Sequence, residues 1–189
     1  MMSDYQIKDL THLFRENAHS ENAVRMAQYM KGHFPFFGIK STLRRELQRE
    51  WWRGQSIQSE PELQSIISVL WKLDEREYQY VGLDLGKRNK KYFTPASIPF
   101  IQKWVTTKSW WDTVGAIASH FAGVVFFDYP ETATIMDELM DGGFRGCSSF
   151  TVLDYDYDVL QRFPKVRSSC TSIIIPTFRS DSTSLHRVV

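Results

Sequence analysis

The sequence predicts an all-α fold, and three observations lead to that prediction. Signals for helix starts and stops recur at short intervals as far as about residue 141, and no convincing alternating strand pattern occurs before that point. The predicted helices pair into units of about 35–45 residues, a spacing typical of stacked helical hairpins in a solenoid. Because no residue-by-residue repeat is visible, a compact helical bundle stays open as an alternative.

The first three predicted helices are separated by clear breaks. The first covers about residues 3–15. The second runs from Ser20 to about His33, where a stretch of aromatic residues, proline and glycine interrupts the helical pattern. Ser41 is expected to cap the third helix, which stops at Gly54.

The next helices are marked by their N-terminal residues. Ser59, followed three residues later by Glu62, is a capping box for the fourth helix. The apolar stripe of that helix is predicted to face the core and contains Leu63, Ile66, Ile67 and Leu70. Further start signals stand at Asp74, Thr94 and Pro130, the last for a helix that ends near Asp141.

The stretch 107–121 is the most informative part of the chain. Ser109 is predicted to be an N-cap with Asp112 as its reciprocal acidic partner, so that the helix begins at Trp110. Apolar residues then recur at helical spacing, which predicts a core-facing stripe of Trp110, Val114, Ile117, Phe121 and Val124.

Trp111 points about 100° away from that stripe, because successive residues of an α-helix are rotated by this angle. The residues that share its side of the helix are all small: Gly115, Ala118, Ser119 and Ala122. None of them fills the space beside an indole. Two interpretations stay open, a close contact with another helix and a surface that binds a ligand.

The chain changes character after about residue 141. Residues 142–189 contain eight serines and have no continuous helical stripe, and the one strand-like run at 171–178 has no predicted partner. We therefore expect two parts, a helical domain over 1–141 and a tail of low order over 142–189. The two cysteines, Cys147 and Cys170, lie in the tail and form neither a disulfide framework nor a zinc set.

Composition and charge exclude several classes of protein. With 189 residues, 42% of them hydrophobic, the chain can bury a core. It has no apolar run long enough for a membrane span and no signal peptide at its start, so a cytoplasmic protein is expected. No metal or cofactor site is expected, and a monomer is predicted. The 23 basic residues nearly balance 22 acidic ones, so net charge does not argue for nucleic acid.

The basic residues are nevertheless clustered. Arg45, Arg49 and Arg53 follow one another at four-residue steps, with Lys40 and Arg44 close by. A second cluster covers residues 87–91, and Lys103 and Lys108 lead into the tryptophan pair. Such clusters neutralise DNA phosphates in a salt-dependent way, but cations near helix C-termini are also ordinary solvated residues. Charge alone leaves both interpretations open.

Four blocks of residues, in order and at consistent spacing, resemble the bacterial DNA alkylation repair family of AlkD-like glycosylases. They read MAQYMKGHFPFFGI at 26–39, RR at 44–45, LWKLDEREYQ at 70–79 and TKSWWDTV at 107–114. The resemblance covers about residues 5–141. It implies a solenoid of HEAT-like helical hairpins that holds double-stranded DNA and excises cationic N3- and N7-alkylpurines by hydrolysis of the glycosidic bond.

The resemblance also implies roles for individual residues. Tyr29 and Trp111 match aromatic residues that line the cleft beside the sugar of the lesion. Both a cationic alkylated base and the oxocarbenium-like sugar of the transition state are attracted by an aromatic face. Residues expected to contact the DNA are Lys40, Ser41, Arg45 and Lys108.

Two departures from the family pattern affect the predicted activity. The family has a catalytic Asp one helical turn after Trp111, where this chain has Gly115. The family then continues with further helical hairpins and an arginine, for which Arg145 is the candidate, but residues 142–189 do not match that region. We therefore expect impaired excision, with the C-terminal repeats divergent or truncated.

Three functions are compatible with these observations. The first is a DNA alkylation repair protein with weak glycosylase activity. The second is a DNA-binding protein that recognises alkylated duplexes without catalysis. The third is a helical scaffold for a protein partner, or a truncated remnant. Salt-dependent DNA binding separates the first two from the third.

Overall fold

The computed structural model describes residues 4–132, with side chains from Ile7 onward. The α-helices are α1 (Asp4–Glu16), α2 (Ser20–Tyr29), α3 (Ser41–Trp51), α4 (Glu60–Lys72), α5 (Arg76–Arg88), α6 (Ile98–Thr106), α7 (Trp111–Ile117) and α8 (Gly123–Asp128). A π-helical segment, Ala118–Ala122, joins α7 to α8, and 3₁₀ turns cover Lys90–Tyr92, Pro95–Ser97 and Pro130–Thr132. Over this range the all-α prediction is confirmed. The predicted tail at 142–189, including Arg145, and the end of the helix predicted from Pro130 lie outside the described residues.

The helices associate as pairs whose second members form one row. Helix α1 contacts α3, α4 contacts α5, and α6 contacts α7, while α5 also contacts both α3 and α7. This arrangement is the solenoid-like fold that the helix spacing predicts. Within residues 4–132, no helix combines the length and apolar character needed to cross a membrane.

The predicted helix starts are correct where the local pattern decides them. Ser59 is the N-cap of α4, and its hydroxyl accepts a hydrogen bond from the backbone N–H of Glu62. The predicted stripe of α4 is fully buried, with Leu63, Ile66, Ile67 and Leu70 each at most 1% exposed. Other starts are shifted by one residue: Lys40 rather than Ser41 is the N-cap of α3, and Glu75 rather than Asp74 is the N-cap of α5.

Helix α2 ends four residues earlier than predicted. Met30 is its C-cap, and the next residues, Lys31 and Gly32, have left-handed backbone angles with φ of 53° and 74°. The N–H of Gly32 donates to the carbonyl of Ala27 and that of Lys31 to Gln28, which is the hydrogen-bond pattern of a Schellman motif. His33 therefore lies outside the helix.

The π-helical segment corrects the predicted stripe of the tryptophan-pair helix. Val114, Ile117 and Phe121 are buried as predicted, but the next buried residue is Val125 rather than Val124. A π turn contains an extra residue compared with an α turn, so the buried side moves one position along the chain. Local apolar spacing contains no signal for this insertion.

Phe121 fixes how the last helices pack on α5. Its ring contacts Phe93 and Trp104, with centroid distances of 4.9 Å and 4.8 Å. A Cβ atom at Gly86 would lie 2.7 Å from the ring of Phe121, so only a glycine allows α5 to approach the ring this closely. The core is therefore closely packed beneath the row of helices α3, α5 and α7.

Candidate functional site

A cavity of about 510 Å³ lies between α2 and the row of helices. Four helices and the segment that follows α2 line it with mostly aromatic and apolar side chains. The lining residues are Arg25, Met26, Tyr29, Met30, Phe36, Ile39, Ser41, Arg44, Glu77, Tyr80, Trp111 and Asp112. The cavity therefore combines an apolar wall with a small number of charged groups, as ligand sites in proteins do.

The two aromatic residues singled out by the sequence meet at this cavity. Tyr29, on α2, and Trp111, the first residue of α7, are 82 positions apart in the chain, yet their ring centroids are 5.8 Å apart in an edge-to-face contact. Both side chains are exposed: Tyr29 is 69% and Trp111 44% accessible to solvent. Trp111 is thus partly exposed, and its ring contacts that of Tyr29 on α2.

The prediction that Trp110 belongs to the core stripe is wrong. Trp110 is the N-cap of α7 with an extended backbone, and it is half-buried. Its indole packs on His33 at 4.3 Å and on Phe34 at 6.4 Å between centroids. The helix begins one residue later than expected, so Ser109 is not the N-cap, and Trp110 covers the chain segment after α2.

Asp112 is not a capping residue, contrary to the prediction. Its carboxylate forms a two-point ion pair with the guanidinium of Arg76, with distances of 2.6 Å and 3.1 Å. It also accepts a hydrogen bond of 2.8 Å from the hydroxyl of Tyr80. Burial, followed by the negative charge of Asp112, raises the pKa of Tyr80, so its hydroxyl remains protonated as a donor. Both oxygens of Asp112 are therefore engaged.

Arg76 is the centre of this network and is fully buried. Besides Asp112, its guanidinium donates to the carbonyl of Lys108 at 2.9 Å and to the hydroxyl of Thr113 at 3.0 Å, and it stacks 3.8 Å from the ring centroid of Phe34. The network fixes the start of α7, and with it the backbone that carries Trp111. Sequence patterns missed it because its partners are 32 to 37 positions apart.

The predicted DNA-contacting residues occupy different places. Ser41 lines the cavity, while Lys40 and Arg45 are exposed beside it at the start of α3. Lys108 does not line the cavity. Its ammonium group donates to the carbonyl of Leu73 and lies 3.7 Å from the carboxylate of Asp74, so its charge connects the α4–α5 junction to the segment before α7.

Arg44 belongs to the predicted basic cluster but is not a solvated residue. It is 6% exposed, its Nη2 lies 3.2 Å from the carboxylate of Asp84, and its guanidinium stacks 5.0 Å from the ring centroid of Tyr80. Burial lowers the pKa of Arg44, and the charge of Asp84 opposes this effect. Arg44 Nη1 has no hydrogen-bond partner among residues 4–132.

Glu77 is a second buried charge at the cavity; it lies in the block at 70–79, but no role was predicted for it from the sequence. The residue is 1% exposed, and its carboxylate accepts three backbone hydrogen bonds, from Phe37 at 3.2 Å, Gly38 at 2.9 Å and Ile39 at 3.2 Å. Burial raises the pKa of Glu77, and these hydrogen bonds oppose the rise. The carboxylate holds together a segment 38 to 40 residues away in the chain.

Gly115 lies one helical turn after Trp111 on α7 and is half-buried. Its carbonyl accepts a hydrogen bond of 2.8 Å from the hydroxyl of Ser119. Of the small residues that share this side of the helix, Ala118 is buried, whereas Gly115, Ser119 and Ala122 are half-buried. Glu77 and Asp112 are the carboxylate residues that line the cavity, and both are engaged by other groups.

The sequence and the fold are similar to those of known proteins. The family model for the DNA alkylation repair enzyme matches residues 10–143, which is more than half of the chain. The protein therefore belongs to the DNA alkylation repair enzyme family, as the sequence blocks predict. No curated protein matches the chain.

A solved structure supports the same family assignment. It is described as a predicted DNA alkylation repair enzyme from Enterococcus faecalis, and it is similar to this chain with a TM-score of 0.60 and 25% sequence identity. The similarity covers 77% of this chain and 71% of that one.

Within residues 4–132, no group of three or more His, Cys, Asp and Glu side chains is arranged to hold a metal ion.

Proposed function

We propose that the protein binds double-stranded DNA at alkylated purines and that the lesion nucleotide lies against Tyr29 and Trp111. The observation that supports this proposal best is the contact between these two exposed rings, 5.8 Å apart, at the edge of the 510 Å³ cavity. Contiguous exposed apolar surface often marks a site that binds a ligand or partner, and these two rings adjoin a cavity. Membership of the repair family identifies DNA as the partner to test first.

The chemistry of the lesion fits this pair of rings. An N3- or N7-alkylpurine carries a positive charge, and an aromatic face attracts a cation by about 0.5–2 kcal/mol. When water attacks C1′ and the neutral alkylpurine leaves, positive charge moves to the sugar, so the same rings stabilise the transition state. We assign contacts with the DNA backbone to Lys40, Ser41 and Arg45, which are exposed at the start of α3, and Ser41 also lines the cavity. This hydrolysis requires no metal ion or cofactor.

We propose further that excision is weak. A carboxylate one turn after Trp111 would stabilise the developing charge and orient the water, and Gly115 supplies none. Asp112 does not replace it, because Arg76 and Tyr80 occupy both of its oxygens. Glu77 is committed to three backbone N–H groups.

Recognition of alkylated DNA without excision is the second candidate function, and Gly115 is the observation that favours it. Release of 7-methylguanine from methylated DNA distinguishes the two, because only the first function produces free base. A scaffold for a protein partner is the third candidate. A gel-shift titration against salt tests it: DNA binding that weakens as salt rises supports either DNA function, whereas no binding at low salt contradicts both.

A further inference from the structure

The carboxylate of Glu77 lies at the cavity and is bonded to the backbone of the segment that follows α2. Its Oε1 accepts from the N–H groups of Gly38 and Ile39, and its Oε2 accepts from Phe37. Three consecutive backbone N–H groups therefore converge on one side chain of α5. Only a carboxylate offers acceptors on both oxygens, because an amide in its place would present a donor to one of these N–H groups.

The segment held by Glu77 is in turn the docking surface for the start of α2. The carbonyl of Phe37 accepts a hydrogen bond of 2.9 Å from the N–H of His19, the N-cap of α2. Gly38 has a left-handed φ of 85°, and a Cβ atom there would lie 2.2 Å from the carbonyl oxygen of His19 and 2.5 Å from the nitrogen of Ala23. The two backbones are therefore in direct contact, and only glycine permits this.

Helix α2 depends on that contact because it buries little of its own surface. None of its 10 residues is buried, and the nearest buried side chain at its other end is that of Met30, its C-cap. The helix is thus held at its two ends, and between them its side chains are half-buried or exposed. About 14 Å separates the ends at 1.5 Å per residue, so a tilt of about 10° around Met30 would move the other end by about 2.4 Å, and Arg25 and Met26 by about 1 Å.

We propose that Glu77 is a positioning residue that holds α2 as a wall of the cavity. Through the 37–39 segment it fixes the helix that carries Arg25, Met26 and Tyr29, all of which line the cavity. The effect on lesion binding rests on the proposed function, whereas the effect on α2 does not. A displacement of about 1 Å in a binding site can reduce activity about a hundredfold, so loss of this support would weaken recognition of the lesion.

The test compares two variants of the full chain, Glu77→Gln and Tyr78→Phe. Tyr78 is the neighbouring buried residue of α5, and its hydroxyl donates to Thr11 of α1 at 2.9 Å. The control therefore removes a partly buried hydrogen bond to α1, while Phe keeps the ring that packs on Phe37 at 5.6 Å between centroids. The first measurement is backbone hydrogen exchange. The second is the Kd for a duplex that carries one 7-methylguanine.

In Glu77→Gln we expect exchange at residues 37–39 and in α2 to accelerate at least tenfold relative to α4, and the Kd for the alkylated duplex to rise at least tenfold. In Tyr78→Phe we expect any acceleration to leave α2 unchanged relative to α4. Equal acceleration of α2 and α4 in Glu77→Gln, or no acceleration at all, would overturn the proposal.

If Glu77→Gln does not fold, hydrogen exchange of the wild-type protein in low denaturant decides the question. We expect residues 37–39 to be protected and to open together with α2, before α4 and α5. Fast, independent exchange at residues 37–39 would contradict a role for Glu77. If the wild-type chain binds no alkylated duplex, the proposed function fails, while the exchange measurement still tests the positioning role.

Discussion

The substitution Gly115→Asp tests the proposal that a missing carboxylate limits excision. Position 115 lies in α7 one turn after Trp111, and residues four apart on a helix are neighbours on the same side. An Asp side chain at this position would therefore project beside the exposed indole. Asp also has a slightly higher helix propensity than Gly, so the change is not expected to disrupt α7.

The size of the effect follows from the attraction between a carboxylate and the cationic sugar. At about 4 Å and an effective dielectric constant near 20, this attraction is roughly 4 kcal/mol. Gly115 is half-buried, so the environment lies between that value and bulk water, where the attraction is about 1 kcal/mol. Since about 1.4 kcal/mol corresponds to a tenfold change in rate, we expect excision to accelerate by roughly 5-fold to 1,000-fold.

The assay is single-turnover release of 7-methylguanine from methylated duplex DNA by the wild-type chain and three variants. Gly115→Asn has nearly the size of Asp without its charge, and Gly115→Ala controls for helix propensity. We expect acceleration in Gly115→Asp alone. Equal rates in the Asp and Asn variants would refute the electrostatic reasoning, and so would a wild-type chain that already excises as fast as the Asp variant.

Four further predictions concern Trp111, Trp110, Gly86 and His120. Trp111→Ala should weaken binding to a 7-methylguanine duplex by about 2–30-fold, from the loss of about 0.5–2 kcal/mol of cation–π attraction. Trp110→Ala should instead lower the free energy of unfolding by roughly 2 kcal/mol, which is less than the loss expected for a fully buried Trp, because Trp110 is half-buried. Equal losses of DNA binding in the Trp110 and Trp111 variants would contradict the assignment of their faces. Gly86→Ala should lower the free energy of unfolding in urea by about 1–3 kcal/mol, because the added methyl group meets the ring of Phe121, and an unchanged midpoint would argue against this contact. Burial, followed by the charges of Lys87 and Lys90, lowers the pKa of His120 below its usual 6.5, so the unfolded chain binds the proton more tightly than the folded chain. The free energy of unfolding should therefore fall as the pH drops through 6.5. His120→Gln should reduce this dependence on pH, and an identical slope in the variant would contradict the reasoning.

The sequence predicts the parts of the fold that local patterns decide. The stripe Leu63 to Leu70 of α4 is buried because apolar residues at helical spacing form one apolar face that packs against the core. Ser59 caps that helix through a hydrogen bond to a residue only three positions away. The family blocks likewise lead to the correct family and to the pair Tyr29 and Trp111.

The interpretations that failed depended on contacts between distant segments. Ser109 and Asp112 have the spacing of a capping box, but the buried guanidinium of Arg76 binds the Asp112 carboxylate more strongly than a backbone N–H group would. Arg44 has the appearance of a surface charge in the sequence, and only its pairing with Asp84 across two helices explains its burial. Such pairings leave no local periodicity to detect.

The contribution of Glu77 was not predictable for the same reason. A single glutamate in a helix is usually solvated, and here it is buried with its carboxylate accepting hydrogen bonds from three N–H groups of a distant segment. Polar contacts between distant elements therefore fix the backbone around the cavity, and this backbone carries the aromatic residues that line it.

The most direct test of the central claim is the ratio of two Kd values, for an unmodified duplex and for the same duplex with one 7-methylguanine, measured at a fixed, stated salt concentration. We predict that the wild-type chain binds the alkylated duplex more tightly and that Trp111→Ala brings the ratio close to one. Equal affinity of the wild-type chain for both duplexes would contradict the claim that Tyr29 and Trp111 bind the lesion.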